Sequence, residues 1–132
     1  MNPSSSEGLL ARPDHPLILS SRVKGLPVFD RAGTRLGHVD DLSIEKIAGR
    51  VVYAIMSFGG FLGIGERFHP VPWALLDYDP ERGGFAVPLD RSLLEGAPHY
   101  DLAELRDLGG ADHLSYDETI ARYYAPYGAI TY

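Results

Sequence analysis

The chain has 132 residues, 45% of them hydrophobic, with 12 basic and 18 acidic side chains and no cysteine. Such a chain builds one ordinary core with little left for a second, and without cysteine it has neither disulfides nor thiolate metal sites. The net charge of −6 is concentrated in residues 77–132, where 4 basic side chains meet 11 acidic ones; that half repels a phosphate backbone, so nucleic-acid binding is not expected and a partner with a basic surface is favoured.

Residues 1–16 hold three prolines and three consecutive serines without periodicity, the pattern of a flexible N-terminal arm. The arm lacks the basic and apolar regions of a secretory signal, and no run reaches the roughly 20 apolar residues that cross a bilayer, so a cytoplasmic location is expected. Leu17-Ile18-Leu19 reads as a short edge strand or a hydrophobic anchor. Val28-Phe29 leads to a turn at Asp30-Arg31-Ala32-Gly33. From Leu36 to Ile47 the apolar residues change parity, which a bulge between Gly37 and Asp40 reconciles with a strand.

Val51 to Phe58 is apolar at seven of eight positions and does not alternate, so both faces of this strand need cover. One face lines the core; the other is covered by the C-terminal tail or by a second subunit. Four glycines between Gly59 and Gly65 permit a sharp reversal, and residues 71–78 form a further strand with Pro72 at its start or on an edge. Asp79-Pro80-Glu81-Arg82-Gly83-Gly84 reverses the chain again into a strand from Phe85 to Leu89. Asp90 caps a short helix, Arg91 to Glu95, stopped by Gly96 and Pro98. A second helix begins with the capping-box spacing Ser115-Tyr116-Asp117-Glu118 and ends before Pro126. Five of the eight tyrosines lie in the last 17 residues, so the tail packs aromatic faces on its own domain, on a second copy or on another protein.

Sequence patterns for chemistry are sparse. The glycine cluster lacks the Gly-Lys-Ser/Thr ending of a phosphate loop. The five histidines form no metal-binding pair, Asp40 and Asp41 diverge on a strand, and Ser43 and Ser57 lack the setting of a nucleophile. No catalytic residue, metal ion or cofactor is expected. Short strands joined by glycine and proline turns, without long crossover helices, predict an all-β, small antiparallel barrel with a short helical C-terminal extension.

The order of Val28-Phe29-Asp30-Arg31-Ala32-Gly33, Leu36-Gly37-His38-Val39-Asp40-Asp41-Leu42, Arg50 to Ile55, the Gly59–Gly65 turn and Val71-Pro72-Trp73 resembles the PRC-barrel family. That family includes the cytoplasmic domain of photosynthetic reaction-centre H subunits and the C-terminal barrel of RimM, and the likeness is to its stand-alone bacterial members. The resemblance implies a barrel over residues 17–100, followed by an aromatic-rich extension over 101–132, with no shared catalytic residues. It implies a non-enzymatic scaffold or protein-interaction module acting as a homodimer. The interface residues expected are Val51, Tyr53, Ile55, Phe58, Phe61, Tyr123, Tyr124 and Tyr127. One alternative is a small-ligand or cation sensor using His38, Asp40, Glu66 and His69 at the barrel mouth. Another is an assembly factor for a ribosomal or membrane complex.

Overall fold

In a computed structural model that describes residues 17–58, 67–106 and 113–128, Leu17-Ile18-Leu19 do not form an edge strand. They lead into a single helical turn, α1 (Ser20–Val23), which buries Val23 alone. The arm over residues 1–16 and the Gly59–Gly65 turn, with Phe61 and Glu66, lie outside the described residues.

After α1 the chain returns as β1 (Pro27–Phe29) and reverses at Gly33 into β2 (Arg35–Ile44). Asp30 holds that turn by accepting the Thr34 N–H on Oδ1 at 2.8 Å. β2 pairs antiparallel with β3 (Val51–Ser57), and its register breaks between Val39 and Asp41. The bulge expected from the change of parity is therefore present, with Asp40 as the extra residue. A second break follows at Ser43/Ile44.

The strand expected over 71–78 is two strands. β4 (His69–Pro72) ends in a 3₁₀ turn, Trp73–Leu75, before β5 (Asp77–Asp79). The Leu76 N–H closes that turn on the Trp73 carbonyl at 3.0 Å. A continuous apolar run does not distinguish an extended backbone from one tight turn within it. β6 (Gly84–Ala86) then pairs antiparallel with β5 and is shorter than the Phe85–Leu89 strand expected.

Six strands form one sheet in the order β4-β3-β2-β1-β6-β5. The predicted all-β antiparallel barrel is thus incorrect: this is a mixed α/β domain whose sheet stays open, its end strands β4 and β5 unpaired with each other. Nor is the sheet wholly antiparallel, since β1 lies parallel to β6. The edges account for the opening. β4 carries Pro70 and Pro72, which have no N–H to donate, and β5 is only three residues long. Beyond β4 the Phe68–Tyr100 bridge, with reciprocal N–H···O bonds of 2.9 Å, extends that edge instead.

Helices close the sheet's other side. α2 (Arg91–Glu95) begins as expected, with Asp90 Oδ1 accepting the Leu93 N–H at 2.8 Å. α3 (Leu102–Arg106) was not expected from the sequence, although Asp101 and Glu104 form a reciprocal capping box, with bonds of 2.9 and 2.8 Å. α4 (His113–Tyr124) starts two residues before the expected Ser115 cap and continues into a 3₁₀ turn, Ala125–Tyr127. It lies across β4, burying Ile120 and Tyr124, and the Tyr53 hydroxyl of β3 donates to Asp117 Oδ1 at 2.7 Å. The chain's own tail thus packs on β4 and reaches β3 at Tyr53.

Gly37 is required by the approach of β2 to the end of β3. A Cβ there would meet the Ser57 carbonyl oxygen and the Phe58 ring. Replacing Gly37 with Val is expected to destabilise the fold by about 3 kcal/mol. Urea denaturation read by circular dichroism checks this.

Candidate interaction surface

The polar residues singled out in the sequence fall into two separate places. On β2, His38 Nε2 lies 3.0 Å from Asp40 Oδ1 and 3.2 Å from Ser57 Oγ across the strand pair, at a partly exposed position. Residues two apart on a strand share a face, which brings the Asp40 carboxylate to His38. One ring nitrogen faces both neighbours, whereas a serine–histidine–aspartate relay engages the two nitrogens separately.

His69 is elsewhere, on β4 opposite Met56, and is 1% exposed. Its ring packs on Phe58 at 4.6 Å between centroids and edge-on to His99 at 5.5 Å. Neither ring nitrogen has a hydrogen-bond partner among the described residues. Burial pushes its pKa down to about 4, and the neighbouring His99 and Arg67 push in the same direction. The imidazole is therefore neutral at neutral pH. Among the described residues no hydrogen bond, ion pair or ring contact joins it to His38 and Asp40, and Glu66 lies outside them. No group of three metal-capable side chains occurs among the described residues.

The apolar residues expected at an interface are distributed differently. Tyr53, Ile55, Phe58 and Tyr124 are buried within this one chain, and Phe61 is outside the described residues. Val51 and Tyr123 are half-buried, with the Tyr123 hydroxyl donating to the Leu93 carbonyl at 2.5 Å. Tyr127 remains exposed. The aromatic tail is engaged in closing the fold, which leaves Val51, Tyr123 and Tyr127 as the outward members of that set.

A different surface carries two of the exposed apolar groups. The loop joining β2 to β3 presents Ile47, 95% exposed, with Ile44 beside it at 51%. It is held in one shape from within. The Glu45 carboxylate accepts the Ala48 N–H at 2.7 Å and the Ile47 N–H at 3.0 Å, and these bonds lower its pKa. The Glu45 N–H donates to the Arg50 carbonyl at 2.8 Å, and Gly49 donates back to the Glu45 carbonyl at 2.9 Å. Gly49 sits at φ +77°, a conformation that favours glycine. Parity along the sequence located Ile47 on the strand but not at its turn; the Glu45-x-x-x-Gly49 spacing is the signal that marks it.

An open groove of about 480 Å³ lies at the opposite end of the sheet, beside β5 and β6. Leu75, Val87, Pro88 and Tyr127 supply its apolar wall, and Asp77 and Arg31 its charges.

The family model of the PRC-barrel domain matches residues 16–94. Among solved structures, the chain is similar to a putative 16S ribosomal RNA processing protein RimM from Pseudomonas aeruginosa. The two are 24% identical over 61% of this chain and 49% of that one, with a TM-score of 0.38. The chain thus spans about half the length of that protein. No curated protein matches.

Proposed function

Because the chain belongs to the PRC-barrel domain family, we propose that it is a cytoplasmic scaffold that works through contact with other proteins, including a second copy of itself as a homodimer. PRC-barrel domains are a non-catalytic protein-interaction family, and the chain is no enzyme. Among the described residues no helix is long and apolar enough to cross a membrane.

The observation that carries the reading is the β2–β3 loop. It offers two isoleucines to solvent on a backbone already fixed by Glu45, so docking them orders little that was mobile. The acidic second half supports a basic partner surface. A sensor for a cation or small ligand has less support, since His69 is sealed among aromatic rings and apart from His38 and Asp40. A factor that assembles a ribosomal or membrane complex would use the same loop and differ only in its partner.

Light scattering from micromolar to millimolar protein tests the proposal. The wild-type chain is expected to self-associate, and Ile44→Asp with Ile47→Asp to remain monomeric while keeping its circular dichroism spectrum. A wild-type chain that stays monomeric throughout overturns the homodimer. Unchanged association in the double variant removes the loop from it.

A further inference from the structure

We propose that the β2–β3 loop of one copy docks into the groove beside β5 of another, with Ile47 as the anchor. The inference rests on the interaction-module reading above and names the partner of that loop. Within one chain the two surfaces are separate features: the loop extends from β2 and β3, whereas the groove lies against β5 and β6, with β1 between β2 and β6 in the sheet. The contact is therefore made between unlike surfaces of two molecules, and in a two-fold homodimer it occurs twice, each loop in the other copy's groove.

Shape and charge both favour a second copy as the occupant. Ile47 is the most exposed of the large apolar side chains among the described residues, and the groove presents Pro88 and Tyr127 over the largely buried Leu75 and Val87. Lys46 and Arg50 flank the anchor on the loop. Asp77 lines the groove and Glu81 lies in the adjoining β5–β6 turn, while Asp79 at the end of β5 is paired with Arg82 at 3.6 Å, so the loop meets Asp77 and Glu81 as charges of opposite sign. Arg31, also in the lining, meets the loop's Glu45 carboxylate with the matching sign. A contact between open edges would be blunted here, since Asp77 and Asp79 on facing β5 strands repel one another. A single loop in a groove covers less than the roughly 1,200 Å² of a standard interface, so the association is weak and reversible.

The test uses two surface variants, each damaging one half of the contact: Ile47→Asp and Asp77→Lys. Sedimentation velocity is run on each alone, on wild type, and on the two variants mixed in equal amounts. Each variant alone is expected to lose about tenfold or more in association constant, a change equivalent to removing one anchor. Mixed, they are expected to form a 1:1 complex, because the intact loop of Asp77→Lys meets the intact groove of Ile47→Asp. That complementation also shows both variants to be folded. If wild type associates and the mixture does not, the loop–groove contact is overturned while the interaction-module reading stands. If wild type is monomeric to millimolar concentration, both the contact and the homodimer are overturned.

Discussion

Acidification below pH 6.5 is expected to destabilise this protein through one buried side chain, His69. The folded chain holds its pKa at about 4, against 6.5 for an ordinary histidine. Between those values the unfolded chain binds a proton that the folded chain refuses, so stability falls as the pH falls. The contribution of His69 is complete above pH 6.5, declines toward pH 4 and changes little below it. The depression corresponds to a loss on the order of 2–3 kcal/mol, a large share of the stability of a small domain. The cause is local. Packed against Met56, Phe58 and His99, the ring nitrogens find no hydrogen-bond partner among the described residues, and His99 and Arg67 oppose a positive charge there.

The measurement is urea denaturation of wild type and His69→Phe at intervals from neutral pH to pH 4. The variant fills a similar space without the titrating ring, so its stability is expected to vary less with pH across this range. Carboxylates such as Glu45, whose pKa is lowered by backbone N–H groups, titrate alike in both proteins and cancel in the comparison. Equal slopes for the two proteins would show that His69 does not drive the acid loss.

The second large effect concerns α4. Tyr124 is fully buried where α4 packs on the sheet, and its hydroxyl has no hydrogen-bond partner among the described residues. Burial raises the pKa of that hydroxyl, so the group stays neutral. Tyr124→Ala is expected to cost about 3–5 kcal/mol, the range for emptying an aromatic site in a core. Tyr124→Phe keeps the ring and removes the unpaired polar atom, and is expected to be stabilising by about 1 kcal/mol. Opposite signs from two substitutions at one position separate packing from polarity. A loss on Tyr124→Phe would show that the hydroxyl contributes a bond. Truncation after Tyr100 goes further, because it removes α4 and exposes the face of β3 carrying Tyr53 and Ile55. Dye binding to that apolar face is the expected readout.

Local features were the legible ones. The Asp30–Gly33 turn, the bulge at Asp40, the Pro80 reversal and the Asp90 cap each depend on residues within four positions of one another. The need of β3 for cover on both faces was also readable, from its unbroken apolar run. The source of that cover was not, because a tail and a second subunit satisfy the same burial. Four of the aromatic and aliphatic residues assigned to an interface are core residues for this reason: an apolar side chain is equally suited to an intramolecular or an intermolecular contact. The polar residues assigned to one site fall on different strands. His38 and His69 lie on strands separated by β3, and proximity across a sheet depends on register that no single strand encodes.

Turns, caps, a bulge and the amphipathic demand of each strand were thus determined by the sequence itself, since they arise from backbone conformations and hydrogen bonds between near neighbours. Tertiary structure alone decided that β1 lies parallel to β6, that the sheet ends at a proline-bearing β4 and a three-residue β5, and that α4 packs on β4 and bonds to Tyr53 of β3. Those outcomes join residues far apart in the chain. They are selected by which arrangement buries the most apolar surface while leaving the fewest backbone groups unpaired, a competition settled only when all the elements meet.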